Sequence, residues 1–332
     1  MAEIKAGTGG ERYVPYAERS GNESIVYFTR NLNPEGLTKI YERVSANIGG
    51  KVAVKLHTGE PKGPNIIPPA WIRAFLEKEF PEGNATVIET NTYYDGGRYT
   101  TEDHRKTLEI NGWTDFTTVD ITDEHGTATL PVRGGKWFTE MYVGKSLPDY
   151  DSMVTLTHFK GHTMGGFGGS NKNIGIGCAD GRIGKKMIHE KNGEQWGVAE
   201  EELMEKISES TKATIDHFGR RVTYVNVLRN ISVSCDCEGV EAEPVVTPNI
   251  GIVASVDILA ADQCCVDLLH ALGERDRHAM EERMRTRHGY RQLSYMKELG
   301  MGNDRYVLID IDNGDERISP KAAVVGVKPF PG

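Results

Sequence analysis

Two groups of residues in the second half of the chain have types and spacings that can do chemistry. The first is His158-Phe-Lys-Gly-His-Thr-Met-Gly-Gly-Phe-Gly-Gly-Ser-Asn-Lys-Asn-Ile-Gly-Ile-Gly-Cys178. Its glycines let backbone approach a ligand closely and leave N–H groups open to an anion. His158, Lys160 and His162 add titratable and cationic groups, and Lys172 adds a point charge or an amine nucleophile. The spacing is neither that of a Walker loop nor Gly-x-Gly-x-x-Gly directly after a strand. The plainer alternative is a glycine-rich surface turn with locally bonded histidines. The second group is Cys235-Asp-Cys237, too close for an unstrained mutual disulfide but able to present two thiolates to one metal or cluster. Cys178 and one of Cys264 or Cys265 would complete four, as tetrahedral zinc or a cubane iron–sulfur cluster requires. Ferredoxin spacing is absent. Buried apolar thiols are the competing reading, especially for Cys264 and Cys265 beside Val266, Leu268 and Leu269.

The elements that must position these groups follow from periodicity. Apolar runs at Ser24–Thr29, Lys51–Leu56, Thr86–Thr90, Asp151–His158 and Ile250–Ser255 predict strands. An alternating stretch over Arg221–Ser234 predicts another. Asn33-Pro34 caps a helix carrying Leu37, Ile40, Tyr41, Val44 and Ile48 up to Gly49-Gly50. Further helices are predicted around Trp71–Leu76, from Thr100, over Val198–Phe218, from Ala260 and across 274–300. Alternating strands and helices predict an α/β fold of mostly parallel sheets with helices on both faces. The expected organisation is a polar arm over 1–23, an α/β lobe over 24–150 and a second lobe over 151–332, with a β-rich insertion near 116–150. The boundary is soft enough for one continuous domain.

Ligands of open α/β sheets bind beyond the carboxyl ends of parallel strands. Four predicted strand exits carry polar residues a plain connection does not need. These are His57, Thr58, Glu60 and Lys62; Asn91, Tyr93, Tyr94, Asp95 and Arg98; His158, Lys160 and His162; and Cys235, Asp236 and Cys237. His104 lies one turn before Leu108 on the same helix face, the usual setting of a histidine at the edge of a core.

Composition narrows the class. The chain has 332 residues, 39 Lys+Arg against 48 Asp+Glu, and a formal charge of −9. That balance is opposite to a polyphosphate binder's, so no nucleic-acid partner is expected. The six arginines between Arg275 and Arg291 read as a solvated helix face. No apolar run is long enough to span a membrane, and the first two dozen residues lack a secretory core, so the expected compartment is the cytoplasm. Five cysteines without an export signal do not make a disulfide framework. Glycine numbers 38, and nine of these fall between Gly161 and Gly184.

Three strings resemble a known family. They are His158-Phe-Lys-Gly-His162 with Lys172-Asn-Ile-Gly-Ile-Gly-Cys178, then Cys235-Asp-Cys237-Glu-Gly239 with Pro248-Asn-Ile-Gly-Ile, then Ala254-Ser-Val-Asp257 with Ala260-Ala-Asp262. In this order they resemble the family called domain of unknown function 362 over roughly residues 24–320. Members are often associated with iron–sulfur clusters, some through an inserted ferredoxin-like segment that this chain lacks. The resemblance selects Cys178, Cys235, Cys237 and Cys265 as candidate ligands of a 4Fe-4S cluster.

A shorter likeness, through His162, Gly166, Phe167, Gly169 and Lys172, is to nickel-pincer lactate racemases. It implies His162 as acid/base, Lys172 as cofactor anchor, His104 as a second acid/base and His189 as a nickel ligand. Ser170 and Asn171 depart from that pattern.

The leading expectation is a metal or iron–sulfur centre beside a small-anion pocket formed by His57, His158, Lys160, Gly166, Gly168 and Gly169. Such a site suits redox or small-carboxylate chemistry, with a possible redox partner. The alternatives are zinc in place of the cluster, a racemase or isomerase using the lysine-anchored cofactor, and a scaffold whose loops recognise a partner.

Overall fold

A computed structural model describes residues 10–330; residues 1–9 of the expected polar arm lie outside the described residues. In chain order, the first half carries β1 (Glu23–Thr29), α1 (Pro34–Glu42), β2 (Val52–Lys55), α2 (Pro69–Glu79), β3 (Ala85–Glu89), α3 (Thr101–Ile110), β4 (Val119–Ile121), β5 (Thr127–Pro131) and β6 (Glu140–Gly144). There follow β7 (Ser152–His158), β8 (Lys160–His162), β9 (Gly166–Gly168), α4 (Ser170–Gly177), α5 (Gly184–His189), α6 (Glu200–Phe218) and β10 (Val222–Leu228). The chain continues through β11 (Gly251–Ser255), α7 (Ile258–Ala271), α8 (Glu274–Thr286), α9 (Arg291–Glu298), β12 (Arg305–Asp310), β13 (Glu316–Ile318) and α10 (Pro320–Ala323).

Nine strands form one sheet in the order β13-β12-β1-β11-β10-β7-β2-β3-β4. The pairings β1·β12, β10·β7, β7·β2, β2·β3 and β3·β4 are parallel, and β11 runs antiparallel between β1 and β10. This is the mostly parallel α/β architecture expected from the sequence. The β2·β7 pairing, from Val52↔Ser152 to Lys55↔Thr155, joins the two halves of the chain in that sheet. Of the β-rich insertion, β4 completes the sheet edge while β5 and β6 pair as a separate hairpin.

Neighbouring residues on the strands face opposite ways. Val54, Leu156, Val225 and Ile252 pack with Leu37, Ile40, Ile72, Phe75 and Leu108 of α1, α2 and α3. Ala53, Met153 and Val253 pack on the other face with Ile174, Leu203, Ile207 and Leu268 of α4, α6 and α7. Both faces are covered, so these central strands read as continuous apolar runs. Among the described residues no helix is long and apolar enough to cross a membrane.

Three local expectations change. The helix after Asn33 ends at Glu42, ahead of Gly49-Gly50, although Asn33 Oδ1 does cap it by accepting from Gly36 N at 2.8 Å. The strand expected over Arg221–Ser234 stops at Leu228, and the chain turns through Asn230, whose φ is +46°. The glycine-dense segment is not one loop: β8 and β9 form a hairpin, and Ser170–Gly177 is helical. Helix propensity argues against glycine there, but packing demands it. A Cβ at Gly175 would sit 2.5 Å from Ile207 O, and one at Gly177 2.2 Å from Lys55 Cε.

Asp262 of α7 fixes the start of α4. Its fully buried carboxyl accepts Ser170 N at 2.7 Å, Asn171 N at 2.9 Å and Asn226 Nδ2 at 2.9 Å. Asp262→Ala leaves three buried donors without a partner and is expected to cost about 3 kcal/mol. Denaturant unfolding of the variant measures that loss directly.

Candidate functional site

The carboxyl ends of β2, β3, β7 and β10 open into a cavity of about 610 Å³. All four polar strand exits reach it: His57 and Glu60; Tyr93, Tyr94, Asp95 and Arg98; His158, Lys160 and His162; Cys235 and Cys237. Gly168, Gly169, Lys172, Lys185 and His189 line it from the β8–α5 segment, and Trp196, Ile176, Leu203 and Ile207 add apolar wall.

His162, Cys235 and Cys237 bring one ligand atom each to within 4.8 Å of one another. The turn carrying the cysteines is tied down from both sides. Cys235 N donates to Glu238 Oε1 at 2.9 Å, and Cys237 N donates to Cys235 Sγ at 3.4 Å. Between the two cysteines, the buried Asp236 carboxylate holds His158 Nδ1 at 2.9 Å and Lys160 Nζ at 2.9 Å. Burial pushes the Asp236 carboxyl up, but the His158 and Lys160 charges outweigh it and keep it below the usual carboxylate range.

Protons in the site are directed by backbone. His162 Nδ1 accepts Gly165 N at 2.9 Å and Met164 N at 3.2 Å, while His57 Nδ1 accepts Gly59 N at 2.9 Å. Neutral rings so held carry their proton on Nε2. Both imidazoles lie close enough to the Cys235 sulfur to interact with it electrostatically. Burial opposes ionisation of Cys235, yet the Cys237 thiol, Lys172 and His162 together bring it well below the ordinary thiol range. Its hydrogen bond to Cys235, then burial, pushes Cys237 up. Of the pair, Cys235 is the thiol that ionises first.

Most cations of the cavity are already matched. Lys55 Nζ lies 2.8 Å from Glu89 Oε2, and Arg98 is 2.8 Å from Glu60 Oε1 and 3.5 Å from Glu89 Oε1. Lys185 donates to Thr90 Oγ1 at 2.6 Å and to Asn91 O, and burial lowers its ammonium to about 8. Among the described residues, Lys172 has no ion-pair or hydrogen-bond partner of this kind. Its charge is therefore available to the thiolate and to any ligand.

The other candidates are placed as follows. His158 has an acceptor at each nitrogen, Asp236 at Nδ1 and Arg229 O at Nε2 (2.7 Å), so it braces the site. Gly166, with φ +75°, packs against Gly289 and does not line the cavity. His104 is fully buried, faces Asn91 Oδ1 at 3.2 Å and also lies off the cavity wall. His189 does line the cavity, with Nδ1 on Lys185 O at 2.8 Å. The expected four-thiol set is not assembled. Cys178 ends α4, where burial pushes its thiol up to about 12, and Cys265 sits mid-α7 under Asn226 Nδ2 at 3.4 Å. Neither joins the His162–Cys235–Cys237 group, because α4 and α7 turn those residues into the core. Glu89 and Lys185 also line the cavity and belong to none of the motifs above. The signal for Glu89, as for Lys55, is a charged residue ending an otherwise apolar strand.

These features define an α/β protein with a thiolate–imidazole centre in a cation-lined cavity at the carboxyl edge of its sheet. The family model for domain of unknown function 362 (DUF362) matches residues 52–267, which is 216 of 332 positions, and the chain belongs to that family. Among solved structures, the lactate racemase apoprotein from Thermoanaerobacterium thermosaccharolyticum is similar at 13% identity and TM-score 0.37, over 93% of this chain and 87% of that one. A structural-genomics protein from Thermotoga maritima is similar at 16% identity and TM-score 0.36, over 58% of this chain and 49% of its own. No curated protein matches the sequence.

Two predictions follow from the geometry. In metal-free protein at pH 7, iodoacetamide should label Cys235 at least tenfold faster than Cys178, Cys264 or Cys265, as read by peptide mass mapping. The second concerns acid. Burial, with nearby cations, holds His162 down to about 4 and His104 and His189 to about 3. An unfolded histidine titrates near about 6.5, so below that pH the unfolded chain binds more protons. Stability should be full above about pH 6.5 and fall on acidification, by on the order of 2 kcal/mol per ring at pH 5. Denaturant midpoints at pH 7 and pH 5 check the sign.

Proposed function

We propose that this chain is a metal-dependent protein acting on a small anion, with Cys235 and Cys237 as the principal metal donors and His162 as the third. The convergence of these three groups inside a buried cavity carries the reading. Two sulfurs and a nitrogen suit a borderline ion such as zinc, nickel or iron(II), with a coordination position left for substrate or water. The donor chemistry fits with one condition. Cys237 must release its proton, and His162 must move its Nε2 proton to Nδ1, giving up the Gly165 N contact there, before Nε2 can ligate. Metal uptake should therefore release protons. A four-thiolate cubane does not fit this donor set.

When bound, the ion would supply Lewis-acid or redox chemistry to the cavity. The residues around it supply the rest. Lys172 offers an uncommitted positive charge to an anionic ligand, while Arg98, Lys55 and Glu89 fix the floor. Trp196, Ile176 and Ile207 exclude water from one wall.

A second reading is a racemase-type enzyme with a cofactor carried by Lys172. It is favoured by Lys172, unpartnered among the described residues, facing the same cavity as His162 and His189. Intact mass of protein from a host that makes the cofactor separates the two readings: an adduct lost in Lys172→Arg supports the second.

For the first, anaerobic metal analysis should find the same metal content in wild type and in Cys178→Ser/Cys265→Ser. Cys235→Ser/Cys237→Ser should carry one equivalent less than either. Equal metal content in all three would overturn the assignment.

A further inference from the structure

A second group of donors lies at the start of α6, away from the thiols. Glu200 and Glu201 are its first two residues, and His288 lies in the turn between α8 and α9. Ligand atoms of the three lie within 4.8 Å of one another. His288 is 3% exposed, so its ring is a buried polar group. One nitrogen is satisfied: Nδ1 lies 2.5 Å from Glu201 Oε1. The other is not. Nε2 is shielded from solvent and, among the described residues, has no hydrogen-bond partner. It faces Glu200 Oε1 at 4.0 Å, too far for a hydrogen bond.

This is the arrangement that precedes metal ligation. A carboxylate on Nδ1 fixes the tautomer and makes Nε2 the basic lone pair, as in carboxylate–histidine–metal triads. A nitrogen and a carboxylate oxygen about 4 Å apart can each reach one ion at about 2.0–2.2 Å. A buried imidazole nitrogen without a partner costs on the order of 1–3 kcal/mol, and an ion removes that cost. Imidazole as donor favours zinc or another first-row divalent ion over magnesium or calcium.

We propose that Glu200, Glu201 and His288 form a second cation site, taking a divalent first-row transition ion through His288 Nε2 and the Glu200 carboxylate. Glu201 orients the ring, and water completes the coordination. The ion joins the first turn of α6 to the α8–α9 turn. Leu203 and Ile207 of α6 and Arg287 of that turn all line the large cavity, so occupancy stiffens part of its wall.

Zinc ion is the probe. Because the Glu200 side chain is 52% exposed, Glu200→Gln should fold normally. Equilibrium dialysis of both proteins, with Cys235 and Cys237 intact in each, reads the site as a difference. Wild type should bind one more zinc equivalent than Glu200→Gln, or bind it at least tenfold tighter. Its zinc-dependent rise in melting temperature should shrink in the variant. His288→Gln, verified as folded by circular dichroism, should match Glu200→Gln. Equal stoichiometry, affinity and thermal shift in wild type and Glu200→Gln would overturn the site, whatever the thiols bind.

Discussion

The site depends on one buried carboxylate. Asp236 stands between the two cysteines, and its oxygens hold His158 from the end of β7 and Lys160 from the start of β8. A short turn with a thiol on each side of it has many accessible conformations. A buried ion pair restricts them because no solvent can replace either partner. Asp236 thereby registers the turn after β10 against the strand that carries His162. Without that register the sulfurs would have no reason to face the imidazole. The capping interaction of Glu238 with Cys235 N closes the turn from its other end.

Around that fixed point the electrostatics separate into committed and uncommitted charge. Lys55, Arg98 and Lys160 each have a buried carboxylate, so their net field inside the cavity is small. Among the described residues Lys172 has none, and it lies near Cys235, whose thiol is held well below its ordinary range. Metal and ligand would therefore compete for, or share, one pair of opposite charges. An ion at the sulfurs neutralises the thiolate and releases Lys172 to an anion. Metal binding and anion binding should thus be thermodynamically linked, each favouring the other. That coupling follows from the charge inventory whatever the reaction proves to be.

The fold was legible because β2, β7, β10 and β11 are buried on both faces and read as uninterrupted apolar strands between turn signals. The converging strand exits were legible for the same reason: the loops after parallel strands gather at one edge. The choice among cysteines was not. Cys178, Cys264 and Cys265 differ from Cys235 only in which way a helix turns them, and apolar neighbours such as Ile174 and Leu268 occur beside ligands and core thiols alike. The tautomers of His57 and His162 were equally hidden, since they are set by the backbone N–H groups of Gly59 and Gly165. The Glu200–His288 pairing spans 88 positions and rests on a fold-dependent meeting of two turns.

The glycine excess has a different physical meaning from the one its density suggests. An anion cradle would need glycine N–H groups turned to the cavity, yet several of these glycines are spent on close packing. Gly175 brings α4 against the backbone of α6, and Gly177 brings it onto the Lys55 side chain of β2. The helix so lodged carries Lys172 at its third position, one turn before Ile176 on the cavity wall. A bulkier residue at Gly175 or Gly177 would push α4 outward and draw the ammonium away from the thiolate. The glycines act at one remove: they set how close an unpaired positive charge stands to the two sulfurs.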